Sequence, residues 1–153
     1  MSLSRLDYTL IALRALMGGW FAYSGAVKIF GSGLEAFAGD VANYRILLDP
    51  WNLVLAWFLA WLEVVAGIAV LLGVMRRGGL WAMLGMTGLF LFGIGQGWAR
   101  GLDISCGCFG TGGSKVNYPL HMTALVVQGA LVVLLLVTGR HRSMRELEDA
   151  AGE

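Results

Sequence analysis

Four apolar stretches, residues 10–30, 51–73, 79–98 and 120–137, dominate the chain, and each is long enough for a helix to cross a bilayer. At about 1.5 Å of rise per residue, roughly 20 apolar residues span the ~30 Å of hydrocarbon. Apolar side chains run all the way round each stretch, which suits helices that meet lipid on one side and one another on the rest. Nothing outside the stretches compensates. Charged residues make up 14% of the 153 and hydrophobic ones 58%, whereas a soluble domain carries about 25% charged residues. A formal net charge of +1 also leaves no basic field for a nucleic-acid partner. The sequence therefore predicts an all-α, polytopic membrane four-helix bundle, a single membrane domain over residues 1–153 in contact with the lipid bilayer.

Local signals punctuate the spans. Asp49-Pro50 offers an N-cap followed by proline in the first helical turn, Asn117-Tyr118-Pro119 does the same before the last span, and Gly78 and Gly139 stand where C-terminal caps belong. Ser24-Gly25-Ala26 looks like a leader cleavage site, but Arg14 inside the apolar stretch favours a retained helix. With an even number of spans, Arg5, Arg76, Arg77, Arg140, Arg142 and Arg145 share one side. The other side holds Arg45, Arg100 and Lys115, diluted by Glu35, Asp40, Asp49 and Asp103. The positive-inside rule then places both termini in the cytoplasm of a bacterial inner membrane, and the loops 31–50 and 99–119 in the periplasm. In the first of these loops Ser32 and Glu35 fit a capping box. Leu34, Phe37, Val41 and Tyr44 follow on one face of a short interfacial helix, either a lid over the bundle mouth or an ordinary connector.

Both cysteines fall in the second outer loop, as Cys106-Gly107-Cys108. A disulfide between residues two apart requires the chain to bend between them, and Gly107 tolerates such a bend. The ring would be small and strained, which favours exchange over stapling. This reads as a redox pair, with Cys106 and Cys108 as the catalytic residues. Two thiolates also suit a soft metal such as copper(I) or mercury(II), so a metal-carrying role for the same residues stays open. A zinc site or an iron–sulfur cluster cannot be completed from two cysteines.

Three charges lie within the spans, where burial is costly unless the group is paired or wet. Counting rise along antiparallel helices puts Arg14 within reach of Glu63, while Lys28 is close enough to its helix end to snorkel. At the outer mouth, Gln96, Arg100 and His121 can donate hydrogen bonds to a quinone headgroup, with Trp98 and Tyr118 beside them as walls or as interfacial belt residues. Gln128 reads as an interhelical hydrogen-bonding residue, and the pairs Ala22–Ala26 and Gly93–Gly97 as close-packing sites of the first and third spans.

Ser24-Gly25-Ala26-Val27-Lys28 in the first span, Glu63 in the second and Cys106-Gly107-Cys108-Phe109-Gly110 before the fourth together resemble the DoxX-like group of four-helix membrane proteins and, within it, the MauE family. The resemblance implies service in disulfide formation or thiol redox during periplasmic maturation, beside a thioredoxin-like partner. The bundle is similar in outline to the DsbB and vitamin K epoxide reductase group, which passes electrons from thiols to quinone through two cysteine pairs, where this chain has one. The expected function is thus an inner-membrane thiol:disulfide oxidoreductase, with a soft-metal carrier and a maturation scaffold as alternatives.

Overall fold

A computed structural model describes residues 5–31, 33–102 and 117–151. Among these every regular element is helical: α1 (Arg5–Ala26), which runs into a π-helical turn (Val27–Gly31), then α2 (Leu34–Asn43), α3 (Trp51–Leu72), α4 (Arg76–Ala99) and α5 (Tyr118–Ala151). Four segments are long and apolar enough to cross a membrane: Tyr8–Gly31, Trp51–Leu72, Arg76–Ala99 and Tyr118–Gly139. The four-helix membrane bundle is as expected, because length and apolar content decide it. Large side chains such as Trp57, Phe58, Trp61, Trp81 and Phe92 stand exposed on the outside, which suits lipid rather than water.

Helix α1 packs on α3, α3 on α4 and α4 on α5, while α1 and α5 hardly meet. The α1–α3 crossing is backbone against backbone. A Cβ on Gly67 would stand 2.5 Å from the Ala22 amide nitrogen, and one on Gly25 would stand 2.7 Å from the Ala60 carbonyl oxygen. Of the small-residue pairs expected to pack closely, the first span uses Gly18, Ala22 and Gly25; Gly93 in the third instead faces the Tyr44 ring of the outer segment. Between α4 and α5, Gln128 Nε2 donates to Thr87 Oγ1 at 3.0 Å, the interhelical role expected of it.

Several helix ends differ from the sequence expectation. Gly73, in the left-handed region at φ 76, caps α3, so Gly78 falls inside the first turn of α4, which Arg76 and Arg77 begin. Pro50 is the N-cap of α3 and Trp51 its first residue. Gly139 does not end α5, which continues to Ala151, because a polar helix leaving the membrane has no reason to break at one glycine. Helix α2 forms where the pattern places it, with Phe37 buried and Leu34 and Val41 packed on the core. Its N-cap is Gly33, and Ser32 lies outside the described residues.

Candidate functional site

The polar centre of the bundle is the pair Lys28–Glu63, which leaves only 1% and 2% of the two residues exposed. Lys28 Nζ donates to Glu63 Oε1 at 2.7 Å and Oε2 at 2.6 Å, and to Ser24 Oγ at 3.1 Å. An ammonium has three protons, and three oxygens receive them. The Phe37 ring of α2 and the Phe90 ring of α4 stand 5.0 and 5.4 Å from the nitrogen, so the cation is also flanked by two aromatic faces. Lys28 sits in the π-helical turn, where it points inward while Phe30, two residues on, is exposed. Such wide turns inside α-helices occur frequently at functional sites.

Two expectations are corrected here. Lys28 does not snorkel, and Arg14 does not pair with Glu63. The backbone crossing sets the register: Gly25 lies on Ala60 and Glu63, Gly18 on Gly67 and Leu71, and Arg14 therefore comes to Gly73 at the end of α3. Sequence reasoning does not single out Ser24, Phe37 and Phe90 as companions of this pair. Ser24 carries a readable signal, since it stands four residues before Lys28 and so shares its helix face.

A cleft of about 110 Å³ leads to this pair between α1, α4 and α5. Trp20, Phe21, Phe90 and Ile94 give it flat apolar walls; Ser24, Lys28 and Glu63 form its polar end, and His121 and Gln128 line the α5 side. His121 Nδ1 lies 3.0 Å from the Asn117 carbonyl oxygen. A carbonyl only accepts, so Nδ1 carries the proton, and Nε2 is the nitrogen left to take one up.

The three residues expected to face one headgroup divide between two places. His121 lines the cleft, whereas Gln96 Nε2 and Arg100 Nη1 both reach the Tyr44 carbonyl, at 3.5 and 3.4 Å, and hold the C-terminal end of α2. Gln96 Oε1 is buried without a hydrogen bond among the described residues. Tyr44 itself is half-buried, and burial pushes its phenol up to about 12, with Tyr118 and Asp40 nearby adding to the shift. A phenol raised above its usual ~10 favours the fold fully below that pH, and the contribution is lost as pH rises through about 12. In an alkaline absorbance titration, the Tyr44 phenol should keep its proton to about pH 12, and Tyr44→Phe should remove a component there.

Cys106 and Cys108 lie outside the described residues, but both stems of their loop are described. The Tyr118 hydroxyl donates to the Leu102 carbonyl, and the Trp98 and Tyr118 rings stack with centroids 6.2 Å apart. The end of α4 and the start of α5 are thereby tied together, one turn from His121. No curated protein and no solved structure matches the chain. The family model for methylamine utilisation protein MauE matches residues 6–140, nearly the whole of the four-span bundle that carries the Lys28–Glu63 pair, so the chain is a multi-pass membrane protein that belongs to the MauE family.

Proposed function

We propose that this protein is a bacterial inner-membrane thiol:disulfide oxidoreductase whose Cys106–Cys108 pair faces the periplasm and exchanges electrons with a thioredoxin-like partner. The observation that carries the reading is the pairing of the chain's two cysteines, one glycine apart, between two stems that Tyr118 ties together one turn before His121 of the cleft. A partner thiolate attacks one sulfur of the Cys106–Cys108 disulfide and forms a mixed disulfide. The partner's second thiol then attacks its own sulfur in that bond, so the partner leaves oxidised and two electrons and two protons remain on Cys106 and Cys108.

Those electrons leave to a quinone or to a second protein. The apolar walls and polar end of the cleft support a quinone ring there, although its volume of about 110 Å³, below the ~150 Å³ of a cavity that holds benzene, admits such a ring only in part. Trp20 and Phe90 would flank the ring, with His121 Nε2 placed to exchange a proton with it. A bound quinone supplies a two-electron, two-proton acceptor.

The deciding experiment follows the cysteines by thiol alkylation in membranes holding a reduced partner protein. Cys106→Ser and Cys108→Ser should each lower partner oxidation by at least about 100-fold, and a reduced partner lacking its second thiol should accumulate as a mixed disulfide with the wild-type chain. Full activity in both variants sinks the proposal. A copper(I) titration of the reduced protein separates the carrier alternative, which requires one tightly held ion that either substitution releases.

A further inference from the structure

A second cleft, of about 230 Å³, lies at the end of the bundle opposite α2, again between α1, α4 and α5. Its charged lining residues are both cations, Arg14 and Arg76, and no carboxylate is among the described residues that line it. Arg14 is half-buried within the first span, where a charge without a counter-ion is unfavourable. Among the described residues neither guanidinium forms an ion pair. Arg76 lies across α5 at Gly139, where a Cβ would stand 2.7 Å from Nη2; a side chain at that position would push the guanidinium away. Arg76 is also the first residue of α4, whose N-cap Met75 makes no side-chain cap, so the first-turn amides add to the positive field.

Apart from Thr138, whose hydroxyl donates to the Leu134 carbonyl of its own helix, the rest of the cleft is apolar. Leu10 and Ile11 of α1 face Leu80 of α4 and Leu135 of α5. Because α1 and α5 hardly meet, the gap between them opens sideways, toward where acyl chains would lie. Two guanidinium forks beside an apolar wall match a phosphate that carries a hydrocarbon chain, since Arg binds phosphate oxygens through paired N–H groups.

We infer that this cleft binds the phosphate of an anionic phospholipid between Arg14 and Arg76, with one acyl chain along the α1–α5 gap. The site is independent of the thiol chemistry proposed above and sits at the other end of the molecule. It joins α1 to α5, the two helices that make least contact with one another.

The test is native mass spectrometry of the full chain in detergent, titrated with phosphatidylglycerol or with phosphatidylcholine of the same chains. The wild type should retain one phosphatidylglycerol in preference to phosphatidylcholine, and Arg14→Gln and Arg76→Gln should each weaken that binding about tenfold or more. Gly139→Leu, which displaces the Arg76 guanidinium without removing charge, should weaken it likewise. Millimolar inorganic phosphate should not displace the lipid. Equal retention of both lipids, or wild-type retention in Arg76→Gln, overturns the inference. Displacement by inorganic phosphate also overturns it and assigns the arginines to a free anion instead. If Arg14→Gln does not fold, Arg76→Gln and Gly139→Leu decide the matter alone.

Discussion

Glu63→Gln should destabilise the protein by about 3–5 kcal/mol, because it strands the Lys28 ammonium in a site almost closed to solvent. The amide of that variant would still offer one oxygen but no charge, and the two phenylalanine rings cannot replace a carboxylate. Lys28→Met should cost a similar amount by stranding the carboxylate. The double variant Lys28→Met/Glu63→Leu should recover most of the loss, since a buried ion pair gains little over well-packed apolar side chains. Unfolding in one detergent, by heat or by SDS titration, measures all four corners of this cycle. Independent, additive losses would show that the two groups do not depend on each other. The double variant also answers a functional question. If it folds as well as the wild type and still oxidises the partner, the pair only fixes the helices; if it folds and is inactive, the pair serves the chemistry at the cleft.

The other large effect is expected at Gly67. A methyl group there would stand 2.5 Å from the Ala22 nitrogen, 2.7 Å from the Gly18 carbonyl oxygen and 2.9 Å from the Ala22 Cα. All three neighbours are backbone, so no side chain can turn aside. Gly67→Ala should therefore cost about 3 kcal/mol, at the upper end of what overpacking does in a core, and Gly67→Leu should prevent the bundle from forming. Gly19→Ala is the control, since nothing lies within 4 Å of a Cβ at that position of α1, the other helix of the crossing. It should be neutral or mildly stabilising, because alanine favours helix by up to about 1 kcal/mol over glycine. Equal melting temperatures for Gly67→Ala and Gly19→Ala would falsify the backbone-to-backbone contact.

Hydropathy makes the bundle legible, because length and apolar content alone decide whether a helix spans a membrane. Helix α2 is legible too, from the spacing of Leu34, Phe37 and Val41. The polar centre is only half legible. Lys28 and Glu63 stand out as charges in apolar stretches, yet which cation meets Glu63 depends on how far α1 slides along α3. Three glycine contacts set that slide, and hydropathy does not weigh them. The π-helical turn leaves no compositional mark, and the ring of Phe37 reaches Lys28 from the next helix, across a bend that neither helix's own periodicity announces. Gln96 and Arg100 are donors at the outer mouth, as their positions suggest, but nothing in their spacing shows that a backbone carbonyl 52 and 56 residues earlier receives them.

The unequal packing of the four spans divides the molecule into two leaves. Helix α1 is locked to α3 by backbone contact, and α5 leans on α4, so the line where α3 meets α4 acts as a spine. The edge between α1 and α5 is unbound by comparison, and both clefts open along it. Widening that edge disturbs neither the glycine crossing nor the Lys28–Glu63 ion pair, whose hydrogen-bonding groups lie on the α1 and α3 side. A molecule dissolved in the bilayer would therefore need no passage through the aqueous faces of the bundle, since both clefts lie along the seam the chain leaves open.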